Sequence, residues 1–161
     1  MINHKKTNQG FTLIELLIVV AIIAILASVV FVALNPLQRF KDARDAHRWS
    51  DVAELLNAIK LNQIDNGGTY LTAIDTAVTS SVYQIGVVGS SCNSGCNATS
   101  TAAACLDLSG LVTSGHIGSI PKDPITGTDA RTYYYLDKSS AGIITVGACN
   151  PEGANTIVLS R

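Results

Sequence analysis

The hydrophobic positions divide this chain into two unlike materials. After ten largely polar residues, MINHKKTNQG, positions 11 to 34 read FTLIELLIVVAIIAILASVVFVAL, with 21 apolar residues out of 24. As one helix that run spans about 36 Å at ~1.5 Å per residue, enough for a hydrocarbon core of roughly 30 Å. It is a candidate membrane-spanning helix. From 35 to 64 the pattern becomes amphipathic: Phe40, Ala43, Ala46, Trp49, Ala53, Leu56 and Ile59 recur at three- and four-residue steps with charges between them. That spacing predicts a second helical stretch whose stripe faces a core, with Trp49 packed under whatever follows. Pro36 lacks an amide donor and crowds the preceding turn, so a kink or melted segment is expected at Leu34 and Asn35. The string Asp65-Asn66-Gly67-Gly68 supplies glycines for a carboxyl-terminal cap.

Beyond position 66 the chain is rich in Gly, Ser, Thr and Ala, and 12 of its 13 glycines lie there. The β-rich runs at 132–136, 142–146 and 156–159 are separated by turn-like stretches at 138–142 and 150–153. They predict a three-stranded antiparallel meander with one face buried against residues 40–64. A short helix at 106–113 and a strand at 82–88 complete the sketch. The fold class is therefore α+β, a long amino-terminal transmembrane and amphipathic helix packed on a small antiparallel β-sheet head.

Charge narrows the function classes. Of the whole chain only 14% is charged, and without Lys5 and Lys6 the balance is nine basic against twelve acidic side chains. Arg39, Lys41, Arg44 and Arg48 alternate with Asp42, Asp45 and Asp51, the pattern of a solvated, salt-bridged helix face and not of a nucleic-acid surface. Lysines ahead of the apolar run keep that end in the cytoplasm and place the carboxyl-terminal bulk outside. A cleaved secretory signal fits poorly, since its apolar core is only about 7–15 residues long and ends at a small-residue site.

Glu15 is the informative residue of the apolar run. A carboxylate there costs a few kcal/mol near the bilayer centre and less toward an end, so it marks either a headgroup-level position or a functional partner. Its surroundings, Gly10-Phe11-Thr12-Leu13-Ile14-Glu15-Leu16, resemble the class III signal of type IV prepilins and type II secretion pseudopilins. The resemblance covers positions 1 to about 34 and, more loosely, the helix to residue 64. It implies a pilin-like fold with four parts: a leader at 1–10, a transmembrane and filament-core helix at 11–34, its amphipathic half at 35–64, and a globular disulfide-bearing head at 65–161. It also implies that a prepilin peptidase cuts after Gly10 and methylates the new amino group of Phe11. Glu15 then recruits the subunit by pairing with the Phe11 amine of a neighbour. Physics agrees, because opposite charges attract far more strongly in a medium of low dielectric than in water.

Pro121-Lys122-Asp123-Pro124, followed by Tyr133 to Tyr135, is similar to a turn that precedes the sheet in the major pseudopilin of type II secretion. In that family carboxylates of the carboxyl-terminal loops hold calcium, which makes Asp123, Asp129 and Asp137 the candidate oxygen ligands here. Three scattered aspartates are more simply solvated carboxylates, and Ile125 stands where the family usually has Trp. Cys92, Cys96, Cys105 and Cys149 form an even set in the part predicted to lie outside the membrane, which favours two disulfides over zinc without fixing which of three pairings occurs. Asn97-Ala98-Thr99 matches a glycosylation acceptor pattern. His47 is read as a structural residue. His116 has serines near it, but no nucleophile occupies a recognisable turn with an assignable base, so no enzyme is expected.

The leading expectation is a structural subunit of a type IV pilus-like filament in the cytoplasmic membrane and then in a periplasmic or extracellular fibre. Its expected partners are other copies of the subunit, the prepilin peptidase and an inner-membrane assembly platform. The alternatives are the major pseudopilin of a type II secretion system and, in a different class, a membrane-tethered binding or adhesion protein. A plain tether has no need of the Gly10 to Glu15 signal, which favours a filament.

Overall fold

A computed structural model describes residues 10–87, 89, 91–153 and 156–161. The apolar run forms helix α1, Leu13–Leu34, which buries none of its residues. Asn35 ends it in the left-handed conformation, φ 38° and ψ 69°. Pro36 then opens helix α2, Pro36–Asp65, where its missing amide would have had no helical partner in any case. The expected interruption at Leu34 and Asn35 is thus a full break between two helices. Most of the leader, residues 1–9, lies outside the described residues. By internal contacts the chain separates into Met1–Arg39 and Phe40–Arg161, so the amphipathic helix from Phe40 onward belongs to the head.

The head's core joins α2 to a sheet and two short helices. Val52, Leu55, Leu56, Ala58 and Ile59 of α2 pack in one cluster with Ile74, Leu108, Leu111, Tyr134, Leu136, Ile144 and Val146. This corrects the expected stripe. Phe40, Ala43, Ala46 and Trp49 are exposed, Trp49 by 40% of its surface. Steps of three residues turn the helix by about 300°, so a run of threes drifts around the axis; only mixed threes and fours hold one face. The buried face follows Arg48, Asp51, Val52, Leu55, Leu56, Ala58, Ile59 and Asn62, so of the expected stripe Leu56 and Ile59 do face the core. Two charged residues in it hid the pattern.

The sheet has four strands, one more than the expected meander: β1 Val82–Gln84, β2 Tyr134–Lys138, β3 Ile144–Ala148 and β4 Val158–Ser160, antiparallel in that order. Leu136 faces Tyr83 and Val146, and Val146 faces Leu159, which places all four on the core side. The expected 82–88 strand is cut to three residues because Gly86 turns to bond with Leu106; Val88 lies outside the described residues. The tyrosine run enters the sheet at Tyr134 because Tyr133 sits at φ 61°. On the other face the Tyr135 ring covers Gly147, where a Cβ would collide with it. Helices α3, Thr72–Asp75, and α4, Ser109–Thr113, are short. Leu106 and Leu108, expected in the second of these, are buried loop residues instead. At the end of α2, Gly67 and Gly68 take φ 65° and 99°, and the Gly68 amide donates to the Gln63 carbonyl at 2.8 Å, the expected glycine cap.

Candidate processing and assembly site

The residues singled out for processing and assembly lie at the first turn of α1. Gly10 and Phe11 are exposed and lead into Thr12, the N-cap, whose extended backbone brings its side chain over the open turn. The Thr12 hydroxyl accepts the Glu15 amide at 3.3 Å, and Glu15 Oε2 accepts both the Thr12 amide and its hydroxyl at 2.8 Å. This is a reciprocal capping box. Two helix-end donors that have no partner in the ladder are satisfied at once. Sequence reasoning singled out Glu15 and missed Thr12, although a Thr three residues ahead of a Glu before an apolar run is the signature of such a box. The chemical consequence is that the carboxylate is already hydrogen-bonded within its own chain, which lowers the cost of placing it in an apolar medium. A carboxylate has about four acceptor sites, so it keeps capacity for a further donor.

A second polar centre lies inside the head. Arg48, 1% exposed, donates through Nε to Asp123 Oδ2 at 2.6 Å and through Nη1 to Asp45 Oδ1 at 2.7 Å and Glu152 Oε2 at 3.1 Å. Arg44 meets Glu152 with two further bonds at 2.5 and 2.6 Å. Burial works against the Arg48 charge, yet the bonds to Asp123, Asp45 and Glu152 outweigh it and hold the guanidinium more firmly protonated than usual. Burial likewise pushes the Asp123 carboxyl up, while Arg48 and the amides of Ile125 and Thr126 bring it below the ordinary range. Glu152 is held down to about 2, chiefly by Arg44 and then by Arg48. Beside this centre the Tyr134 hydroxyl donates to buried Asp51 at 2.6 Å, and His47 reaches the same Asp51 oxygen at 2.9 Å.

The three calcium candidates are not one donor set. Asp123 is committed to Arg48, Asp129 pairs with Lys122 on the surface at 2.6 Å, and Asp137 lies on β2. Among the described residues no three His, Cys, Asp or Glu side chains group so as to hold a metal ion. The residues present therefore do not fit calcium. The cysteines form two bridges, Cys92–Cys105 and Cys96–Cys149, a crossed pairing that ties the 92–105 loop to the end of β3.

The structure also brings together a contact that the sequence did not reveal. Ser114 Oγ lies 2.6 Å from His116 Nδ1, and His116 Nε2 lies 2.9 Å from Asp65 Oδ2. The order copies that of acyl-transfer sites, but the Ser114 hydroxyl donates to the Gly110 carbonyl at 2.8 Å. The same hydroxyl also lies within hydrogen-bond distance of the Leu111 carbonyl, so its one proton has three acceptors within reach at the closing turn of α4. The three side chains fasten the end of α2 to the end of α4.

Residues 5–31 match the model of the prokaryotic N-terminal methylation motif. The chain is 32% identical over 151 residues to the type II secretion system core protein G of Vibrio cholerae, a match that spans 92% of this chain and 86% of that protein. The chain belongs to the type II secretion core protein G family. It is a pilin-like subunit with a prepilin-type amino-terminal signal, of the pseudopilin kind that was the alternative to a surface pilin. No solved structure matches it. Within the pseudopilin α1 is long and apolar enough to cross a membrane, and the four-stranded head follows α2 as the pilin-like fold requires.

Proposed function

We propose that the chain is the major subunit of a type II secretion pseudopilus. It is made as a precursor, and a prepilin peptidase removes residues 1–10 on the cytoplasmic face and methylates the amine of Phe11. Residues 11–34 hold the subunit in the inner membrane with the head outside until an assembly platform draws it into the fibre. There the Glu15 carboxylate accepts the Phe11 ammonium of a neighbouring copy. The role is structural and not catalytic.

The observation that carries this reading is the Thr12–Glu15 box placed directly behind Gly10 and Phe11. It presents a hydrogen-bonded carboxylate one turn from the bond whose cleavage would create a new positive charge. The likeness to a core protein G over most of the chain supports secretion over a surface pilus. Expression with and without a prepilin peptidase, followed by mass spectrometry of the amino terminus, tests the processing step. A product beginning at N-methylated Phe11 is expected, and one still beginning at Met1 would refute it. Glu15→Ala is expected to be processed normally yet to give few filaments; filament yield equal to wild type removes Glu15 from assembly. Restored secretion in a strain lacking its own core protein G separates a secretion subunit from a pilus subunit.

A further inference from the structure

We infer that this pseudopilin carries its own cation, the Arg48 guanidinium, at the junction of α2 with the 121–127 turn and the 150–153 loop, so that the head closes there without calcium. The inference stands on the head's geometry and not on the secretion reading. Three carboxylates from three chain segments converge on Arg48: Asp45 from α2, Asp123 from the turn at 121–127 and Glu152 from the loop at 150–153. Two of them are also backbone clips. Asp123 Oδ1 accepts the amides of Ile125 and Thr126 at 2.9 and 3.1 Å. Asp45 accepts those of Glu152 and Gly153 at 3.0 and 2.7 Å.

The charges make the centre all-or-none. A guanidinium with almost no exposed surface is prohibitively costly without acidic partners, and clustered carboxylates without a cation repel one another. Size and shape then decide which cation is suited. Calcium gathers about 6–8 oxygens at roughly 2.3–2.6 Å around a point, whereas a guanidinium offers a planar fan of donors and holds its acceptors apart. Asp123 meets Nε while Asp45 and Glu152 meet Nη1, and no three acidic groups among the described residues group so as to hold an ion. Arg48 thus links the stem helix to both loops by covalent attachment to one and ion pairs to the others.

The test is thermal unfolding of the full chain in detergent micelles, followed by the near-ultraviolet circular dichroism of its tyrosines, in excess calcium chloride and in chelator. The wild-type midpoint is expected to be the same in both. Arg48→Met is expected to lower it by about 10 °C or more, because Asp123 and Asp45 lose their cation while Glu152 keeps only Arg44. Glu152→Gln, a milder change, is expected to lower it by less and to leave it equally indifferent to calcium. A wild-type midpoint that rises in calcium and falls in chelator overturns the inference, as does an Arg48→Met chain that melts with wild type. If Arg48→Met does not fold, the wild-type comparison and Glu152→Gln decide the matter without it.

Discussion

Replacing Cys96 and Cys149 together by alanine removes the bridge that spans 53 residues, and replacing Cys92 and Cys105 removes one that spans 13. In the chain-entropy view a cross-link acts by restricting the unfolded chain, and the two losses come to about 4 and about 3 kcal/mol. Each pair has one fully buried sulfur, Cys149 or Cys92, and one half-buried, Cys96 or Cys105. The packing cost of deleting sulfur is therefore similar in both, and the difference of about 1 kcal/mol isolates the loop length. The native contact around the longer bridge also persists without it, since the Ala98 amide donates to the Cys149 carbonyl at 2.9 Å and the Asn150 side chain to the Gly95 carbonyl at 2.9 Å. For a head of this size about 4 °C accompanies each kcal/mol, so midpoints are expected to fall by roughly 16 and 12 °C. The assay is thermal unfolding of the two double variants in the same detergent, each compared with wild type. Equal losses, or a larger loss for the 92–105 pair, would refute the argument from the unfolded chain.

Acid is expected to loosen the head in a defined window. Glu152 titrates at about 2 in the fold against an ordinary 4.5, and Asp123 below its ordinary 3.8. Both bind fewer protons folded than unfolded, so their stabilisation is complete above pH 4.5 and is lost as pH falls toward 2. Denaturant unfolding across that range should show the decline, and Glu152→Gln should flatten it; an unchanged slope in that variant counts against the ion centre. Tyr134→Phe leaves the buried Asp51 carboxylate without its 2.6 Å hydroxyl donor and is expected to cost about 1–3 kcal/mol by urea unfolding. A loss below about 0.5 kcal/mol would mean that His47 alone satisfies Asp51.

The division of labour is legible in the linear chain. A run of 21 apolar residues in 24 reads as a membrane-length helix from composition alone, and the Gly10 to Glu15 string carries its signal in consecutive positions. The break at Asn35, the glycine cap after Asp65 and the three carboxyl-terminal strands were legible too, because each depends on the chemistry of a few neighbouring residues. Even the Thr12–Glu15 box was present as a three-residue spacing, though only the folded first turn gave it a partner for each donor. Features that depend on distances between remote positions emerge only in the folded chain. The core face of α2 was obscured because Arg48 and Asp51 occupy it, and their burial makes sense only once Asp123, Tyr134 and Glu152 arrive from positions at least 75 residues away. Strand β1 was expected at 82–88, but its end at Gln84 is set by its pairing with β2 and by the Gly86 contact with Leu106. The crossed disulfides, the separation of Asp123 from Asp129 and Asp137, and the Ser114–His116–Asp65 contact likewise follow from loop closure, which no local pattern encodes. Local chemistry fixes elements and signals, whereas buried charge is tolerated only where partners from across the chain converge on it.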